Sequence, residues 1–326
     1  MGKKRLVSGV RPNGLLHIGH LGGMLTNTAN LQDQYECYPF IADWHALTDA
    51  IDTSNLPEYT LQVAIDWLSA GIDPEKSKLF VQSHVPEHAE LSTLLAMVTP
   101  VSWLERCPTY KDKVQDIEQR EGPSTGLLEY PVLMTSDVII YKAEAVPVGT
   151  DQVAHLEISR EIVRRFNHRF GNVFPEPHPL LTEASALPGL DGRKMSKSYN
   201  NTIELSDPPE TAQKKIMQML TDPGRVRRTD RGNPDVCPVF AYHKTYNSDE
   251  VPQIDQDCRS ASIGCVDCKR NLGNKLIAKL TPFYEKRAKW ASKPNDVREV
   301  LADGASRARK VAQETMAEVR SAMNLA

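Results

Sequence analysis

Short apolar runs alternate with helix-like stretches along the first half of the chain. The candidate strands are Leu6–Val10, Pro39–Asp43, Lys78–Gln82 and Val146–Gly149. Between two of them, residues 58–71 place apolar side chains at helical spacing and end on Gly71, a stop signal. This alternation predicts an α/β domain over residues 1–189, built as a doubly wound parallel sheet. In such sheets ligands bind beyond the carboxyl ends of the strands.

The pattern changes beyond about residue 190, where helix-compatible segments and polar stretches replace the strand-like runs. We therefore predict a second, mostly helical domain over residues 190–326. Its last segment, Asp296–Met323, places apolar residues near one face of a long amphipathic helix: Val297, Val300, Leu301, Ala308, Val311, Ala312, Met316 and Val319. We expect this helix to dock on the rest of the chain, with the sheet domain as one candidate surface.

Composition narrows the class of protein. A chain of 326 residues that is 40% hydrophobic and 25% charged can bury a large core, which excludes a disordered chain. The first residues lack the apolar core of a signal peptide, and no apolar run approaches the ~20 residues of a membrane helix. We therefore expect a cytoplasmic protein with reduced thiols and no membrane partner. The net charge of -3 means that RNA binding would depend on local basic patches.

A glycine-rich segment follows the first predicted strand and opens a helix. Gly14 and Gly19 allow a phosphate to approach the backbone, and the helix N-terminus favours an anion. His17 and His20 share one helical face and can donate hydrogen bonds to a triphosphate. The segment alone leaves a second interpretation open, a glycine-rich turn with two ordinary surface histidines.

A cationic segment lies far downstream, at Asp191–Ser198. It presents Lys194 and Lys197 beside Arg193, on a predicted loop between the two domains. Cations on a mobile loop can neutralise pyrophosphate as it leaves. A segment of this kind, taken alone, is more often a charged surface loop.

Together these two segments resemble a known pair of motifs. His17–His20 (His-Ile-Gly-His) and Lys194–Ser198 (Lys-Met-Ser-Lys-Ser) are similar to the signature sequences of the class I aminoacyl-tRNA synthetases, which have a Rossmann-like catalytic domain. The resemblance implies that ATP, with Mg2+, activates an amino acid as an adenylate, which is then transferred to the 3′ end of a tRNA. The implied catalytic residues are His17, His20, Lys194 and Lys197. They would act by positioning and charge stabilisation, without a covalent nucleophile.

A predicted helix over residues 130–141 carries a single carboxylate on an apolar face. Tyr130, Met134, Asp137 and Tyr141 are spaced four, three and four residues apart, so they share that face. An indole N–H can only donate a hydrogen bond, and an aspartate on an apolar wall supplies the acceptor. Two alternatives stay open. Asp137 could cap or salt-bridge within a core-facing helix, or the pocket could take a phenol, whose hydroxyl also donates.

Longer segments resemble the tryptophanyl-tRNA synthetases along almost the whole chain. The similarity is carried by Tyr130–Asp137, Val146–Gln152 and His155–Asn167. It implies L-tryptophan as substrate, tRNA(Trp) as partner, a homodimer, and an anticodon-binding role for the helical C-terminal domain.

The same resemblance assigns residues to the two substrates. The implied tryptophan-binding residues are Tyr130, Met134, Asp137, His45, Val146, Val148 and Gln152, with Asp137 at the indole nitrogen. The implied ATP-binding residues are Arg11, Pro12, Asn13, Gly19, His20, Gly149, Thr150, Asp151, Leu187, Lys194, Met195, Ser196, Lys197 and Ser198. Arg11 stands where the commoner bacterial form has glutamine, and Thr150 where it has glutamate.

Four cysteines cluster in the C-terminal half. Cys237, Cys258, Cys265 and Cys268 have 20, 6 and 2 residues between them, and four thiolates suit either tetrahedral zinc or a cubane cluster. Spacing alone favours zinc. The segment Ala261–Lys269, however, resembles the one that carries a [4Fe-4S] cluster in a subgroup of tryptophanyl-tRNA synthetases. The basic residues nearby would meet RNA or be simply solvated: Arg225, Arg227, Arg228, Arg231, Lys269 and Arg270.

Three rival functions fit parts of the same pattern. The nearest is a tyrosyl-tRNA synthetase, which the residues alone do not separate. The second is a non-catalytic RNA-binding paralogue, which would have no need of both cationic motifs. The third is a small-molecule nucleotidyltransferase, which the helical extension with its cysteines disfavours.

Overall fold

A computed structural model describes the chain except for residues 1, 49–51, 109, 112–122, 150–151, 182–186, 197–198 and 326. The chain forms two compact units, each assembled from separate segments. The first comprises residues 1–13, 24–183 and 290–326, and the second comprises residues 14–23 and 184–289.

Among the described residues, five parallel strands form the sheet of the first unit, in the order β3-β2-β1-β4-β5. Their bounds are β1 Arg5–Val10, β2 Glu36–Ile41, β3 Phe80–Val81, β4 Ala145–Val148 and β5 His178–Leu181. The chain places β2 and β3 on one side of β1, and β4 and β5 on the other. This reversal of strand order at β1 is where doubly wound sheets bind ligands. The predicted α/β class with a doubly wound parallel sheet is confirmed.

The four predicted strands are present with shifted bounds, but β5 was not predicted. Pro179 lies inside β5, and Pro175 and Pro177 precede it closely. Proline lacks the N–H that a central strand must donate, but it is tolerated in an edge strand such as β5. The prolines therefore hide this strand from a pattern-based prediction.

Helices make up most of the remaining described structure. In chain order they are α1 Ile18–His20, α2 Thr26–Leu31, α3 Asp43–Ala46, α4 Leu56–Ser69, α5 Glu87–Ala96, α6 Val101–Leu104, α7 Thr125–Ile139, α8 Val153–Phe170, α9 Pro209–Gln218, α10 Pro238–Tyr246, α11 Val251–Arg259, α12 Cys265–Ala291 and α13 Pro294–Ala322. In the first unit, α7 packs between α5 and α8. None of the helices that the structure describes is both long and apolar enough to span a membrane.

The last helix, α13, packs on the first unit against β3, α4 and α5. Gly304 lies directly on the backbone of Leu79, and a Cβ added there would overlap the Leu79 carbonyl group. Arg309 Nε lies 2.8 Å from Glu87 Oε1 on α5. Glycine on this face therefore permits a close contact that a larger side chain would block.

Backbone hydrogen bonds join the two segments of the second unit. Ile18 N donates to Ile203 O at 3.0 Å, and Leu205 N donates to Leu16 O at 2.8 Å. The rest of this unit is built mainly from α9, α10, α11 and α12. The predicted helical character of the C-terminal region is confirmed.

Candidate active site

One carboxylate is buried at the carboxyl edge of the sheet in the first unit. Asp137, on α7, is 1% exposed. Its Oδ2 lies 2.8 Å from His45 Nε2, and its Oδ1 lies 2.7 Å from both Gln82 Nε2 and His88 Nδ1. His45 follows β2 and Gln82 follows β3, so both come from the strand ends where ligand-binding residues were expected. Behind them, Tyr141 Oη lies 2.7 Å from His88 Nε2.

The pKa of Asp137 is lowered to about 2. Burial alone would raise this pKa, but hydrogen bonds from His45 and His88, and the proximity of both rings, outweigh it. The ionised carboxylate can only accept hydrogen bonds, so the ring nitrogens that face it donate. Burial, together with the Asp137 charge, raises the pKa of Tyr141 well above its ordinary value. Its hydroxyl therefore stays protonated and can donate to His88 Nε2 when the ring proton lies on Nδ1, facing Asp137.

Sequence reasoning missed Gln82 and His88. The strand pattern predicts Gln82 as the last residue of a strand, whereas it begins a 3-10 turn, Gln82–His84, directly after β3. A polar residue at the end of a predicted strand is the sequence signal that could have indicated a site residue. His88 is the second residue of α5, and nothing in its local sequence indicates a contact with Asp137.

Other predicted tryptophan-binding residues belong to the same unit. The Tyr130 ring meets the His45 ring edge-on, with centroids 4.6 Å apart. Nδ1 of His45 is buried and has no hydrogen-bond partner among the described atoms. The remaining four are half-buried on α7, on β4 and just before α8: Met134, Val146, Val148 and Gln152. Val146 and Val148 are two apart on β4 and so share one face of the sheet.

The predicted ATP-binding residues of the first unit lie after two neighbouring strands. Arg11, Pro12 and Asn13 directly follow β1, and Gly149 directly follows β4. β1 and β4 pair in parallel, so these residues are at the same edge of the sheet, where the strand order reverses. Thr150 and Asp151 lie outside the described residues.

The two predicted catalytic histidines lie side by side in the second unit, with ring centroids 3.9 Å apart. His17 caps α1, because its Nδ1 accepts Gly19 N at 3.2 Å, and His20 Nδ1 accepts His17 N at 3.2 Å. A neutral ring that accepts through Nδ1 carries its proton on Nε2, so both rings present an Nε2–H donor. A Cβ added to Gly19 would lie 3.0 Å from the His17 ring and 3.6 Å from Met195 Sδ, which leaves little room for a side chain.

A buried asparagine organises the predicted cationic loop in the same unit. Asn201, 2% exposed, accepts Ser196 N at 2.8 Å and donates to Lys194 O at 3.1 Å and Asp191 Oδ1 at 2.7 Å. Hydrogen bonds from Asn201 and Arg193 lower the pKa of Asp191 to about 2. The Lys194 side chain is exposed, Leu187 and Ser196 are half-buried and Met195 is buried, whereas Lys197 and Ser198 lie outside the described residues. Sequence reasoning missed Asn201, which lies three residues after the motif and directly after Asn200.

The four clustered cysteines of the second unit surround one small cavity. Its walls are Thr221, Asp222, Arg225, Cys237, Val239, Cys258, Ile263, Cys265 and Cys268. Burial and the three neighbouring thiols raise the pKa of Cys268 to about 12, and its Sγ lies 3.4 Å from His243 Nε2. In the described part of the chain, no three His, Cys, Asp or Glu side chains are placed to hold one metal ion. The four thiols therefore share the lining of one cavity.

One of the arginines predicted to meet RNA is not on the surface. Arg225 is 9% exposed, and its Nη2 donates to Arg228 O at 2.9 Å and to Ile263 O at 2.7 Å. Its Nη1 lies 3.9 Å from Cys258 Sγ. The Arg225 guanidinium thus supports the cysteine cavity, and the expectation that it contacts RNA is wrong.

Comparison with known proteins identifies the family. The family model for class I tRNA synthetases (W and Y) matches residues 2–281. The chain is 50% identical to the tryptophan–tRNA ligase of Thermotoga maritima, over 98% of this chain and 99% of that protein. It is 43% identical to the tryptophan–tRNA ligase of Aquifex aeolicus, over 98% of this chain and 100% of that protein.

A solved structure agrees with these relatives. The crystal structure of tryptophanyl-tRNA synthetase from Campylobacter jejuni, complexed with ADP and tryptophan, matches with a TM-score of 0.88 at 34% identity. The match covers 98% of this chain and 100% of the Campylobacter chain. Because the family model covers most of the chain and these relatives match it end to end, the chain belongs to the class I tryptophanyl-tRNA synthetases.

Proposed function

We propose that this enzyme, which activates tryptophan with ATP and charges tRNA(Trp), reads the indole N–H with Asp137. One observation carries the assignment: a 1% exposed, ionised carboxylate on the wall of α7. An amino acid that lacks a donor would leave this acceptor unpaired, which is costly in a buried site. A smaller apolar side chain would also lose about 25 cal/mol for each Å² of apolar surface that it fails to bury.

The remaining pocket residues would orient the amino acid. Met134, Val146 and Val148 would line the indole ring, because they are apolar and half-buried on neighbouring elements. Tyr130 and Gln152 would contact the ammonium group. His45 contacts both Asp137 and Tyr130, so it would connect the two ends of the pocket.

ATP, accompanied by Mg2+, would be bound by the residues that the family resemblance implies. In the first unit these are Arg11, Pro12, Asn13, Gly149, Thr150 and Asp151. In the second unit they are Gly19, His20, Leu187, Lys194, Met195, Ser196, Lys197 and Ser198. The Nε2–H groups of His17 and His20 would donate to the phosphates as charge shifts during attack by the tryptophan carboxylate. Lys194 and Lys197 would neutralise the departing pyrophosphate.

The activity is tested by pyrophosphate exchange into ATP with each aromatic amino acid. We expect exchange with tryptophan and none above background with tyrosine, because the pocket is assigned to an indole. Exchange with tyrosine alone would make the enzyme a tyrosyl-tRNA synthetase. Failure with both, in folded protein, would favour the non-catalytic RNA-binding paralogue. We propose further that the enzyme is a cytoplasmic homodimer whose helical C-terminal region reads the anticodon.

A metal centre is the second part of the proposal. It is supported by four thiols that line one cavity, and by the resemblance of Ala261–Lys269 to the cluster-bearing segment of a subgroup of the family. We therefore propose that Cys237, Cys258, Cys265 and Cys268 hold a [4Fe-4S] cluster, with zinc as the alternative. The cluster would supply structural cross-linking, because its ligands precede α10, end α11 and begin α12.

The visible spectrum and metal content of anaerobically purified protein separate these alternatives. We expect a broad absorbance shoulder in the blue, together with iron and acid-labile sulfide. The Cys265→Ser variant should lose both, while the Cys107→Ser variant, outside the cavity, should keep them. Colourless protein with stoichiometric zinc would reject the cluster.

A further inference from the structure

Two fully buried donors outside the predicted pocket converge on one oxygen of Asp137, and a third side chain supports them. Gln82 donates to Oδ1 at 2.7 Å, and His88 Nδ1 donates to the same oxygen at 2.7 Å. Tyr141 donates to the opposite nitrogen of His88, at 2.7 Å. Gln82, His88 and Tyr141 are each 0% exposed. Water therefore cannot replace any of these three hydrogen bonds if one partner is removed.

The number of acceptor positions decides which oxygen a ligand can use. A carboxylate offers about four lone-pair positions, two on each oxygen. Gln82 and His88 occupy both positions on Oδ1, and His45 occupies one position on Oδ2. Among the described residues, nothing else donates to this carboxylate, so one position on Oδ2 remains.

We propose that Gln82, His88 and Tyr141 are positioning residues, here named the Asp137 clamp, which saturate Oδ1 and leave Oδ2 as the sole acceptor for the substrate. A pocket with one remaining acceptor suits a side chain with one N–H donor. The inference deepens the proposed role of Asp137 and rests on it.

Tyr141 acts at a distance, through the tautomer of His88. Its hydroxyl places a proton against Nε2, so the ring proton is held on Nδ1, where it faces Asp137. Without that hydroxyl, Nε2 of His88 loses its buried hydrogen-bond partner, and the ring is held less firmly against Asp137. Oδ1 then keeps Gln82 as its one firmly held donor.

Tyr141→Phe tests the clamp, because it removes one hydroxyl that touches neither Asp137 nor the predicted pocket. The readout is pyrophosphate exchange with tryptophan and with 3-benzothienylalanine, in which sulfur replaces the indole N–H. We expect the KM for tryptophan to rise about tenfold, the size of effect of one buried hydrogen bond, and the KM for the sulfur analogue to change by less than about twofold.

Tyr38→Phe is the matched control. Tyr38 is also 0% exposed, its ring stacks on Tyr141 with centroids 4.4 Å apart, and its hydroxyl donates to Glu36 Oε1 at 2.9 Å. The control therefore removes a hydroxyl from the same part of the core without removing a hydrogen bond of the clamp. It should leave the KM for both amino acids unchanged.

Two variants of His88 give an independent test if the phenylalanine variant does not fold. His88→Asn keeps an N–H donor for Oδ1, whereas His88→Leu removes it. His88→Asn should therefore retain most of the preference for tryptophan over the sulfur analogue, and His88→Leu should lose it.

The possible failures are distinguishable. An equal rise in the KM for both amino acids, or a rise that the Tyr38→Phe control shares, would mean that the clamp residues have only a structural role. If the wild-type enzyme shows no preference for tryptophan over the sulfur analogue, the proposed role of Asp137 is itself wrong, and the clamp is rejected with it.

Discussion

Asp137 keeps its charge in a nearly water-free setting because three donors surround it. Removing the charge while keeping the shape of the side chain is the direct test of its role. We expect Asp137→Asn to lower kcat/KM for tryptophan about 10- to 100-fold, the range for a hydrogen bond to a charged group. Pyrophosphate exchange would measure this effect. The KM for ATP, measured in the same assay, is the internal control. An equal change in the values for tryptophan and for ATP would contradict the assignment.

Asn201 is a second residue whose contacts predict a measurable effect. Its side chain holds the backbone of Ser196 and Lys194, so Asn201→Ala should release the cationic loop. We expect single-turnover adenylate formation to slow about tenfold, because two or more hydrogen bonds are lost, with little change in the KM for tryptophan. Asn200→Gly is the control, since Asn200 is exposed and has a φ of 48°, which glycine adopts freely. Unchanged adenylation in the Asn201 variant would remove this residue from loop positioning.

The chemistry of single residues was partly predictable from sequence. The helical spacing around Asp137 correctly predicts a buried carboxylate on an apolar face. Its partners were not predictable, because His45, Gln82 and His88 are 92, 55 and 49 residues away from it. Local patterns give the face on which a residue lies, and only the tertiary structure shows what meets that face.

At the scale of elements, the docking of α13 depends on an ion pair with α5. Burial alone would raise the pKa of Glu87, but hydrogen bonds from Arg309, its own backbone and Gln313 lower it below its ordinary value of 4.5. A lowered carboxyl pKa stabilises the fold above the ordinary value, and this contribution is lost as the pH falls through the lower, folded value. The contact between α5 and α13 should therefore weaken in acid.

Glu87→Gln makes this dependence measurable. At pH 7 we expect the free energy of unfolding to fall by about 1 kcal/mol, because a charge-assisted hydrogen bond becomes a neutral one. The wild type and the variant should converge as the pH drops below 4.5. Urea unfolding at several pH values would show this, with the exposed Glu75→Gln as control. A difference that stays constant with pH would exclude the ion pair as its source.

Elements themselves differed in how well the sequence predicted them. The final helix was predicted over Asp296–Met323 and is found at Pro294–Ala322, because its apolar spacing is regular over many turns. The edge strand β5 was missed because its prolines break the usual strand pattern. The sequence left open which surface α13 packs against, because an apolar helix face does not specify its partner.

At the scale of the molecule, the two steps of the reaction should respond differently to loss of the cysteine site. The Cys265→Ser variant disturbs the cysteine cavity, and none of the residues that line this cavity is a predicted ATP-binding residue. We expect hydrogen exchange to increase in α10 and α11, and transfer of tryptophan to tRNA to fall at least tenfold, while adenylate formation changes less than about threefold. Ser262→Ala, at an exposed neighbouring residue, is the control. Equal loss of adenylate formation and transfer would contradict a structural role confined to RNA binding.

The helix α13 also limits the order in which the first unit can fold during synthesis. Five residues of α13 belong to the same apolar core as β1, β2 and β3: Ala305, Ala308, Ala312, Met316 and Val319. A ribosome completes the whole sheet, and then the intervening segment, before it synthesises these five. The nascent sheet therefore exposes an apolar surface, to which chaperones can bind, until α13 has been synthesised.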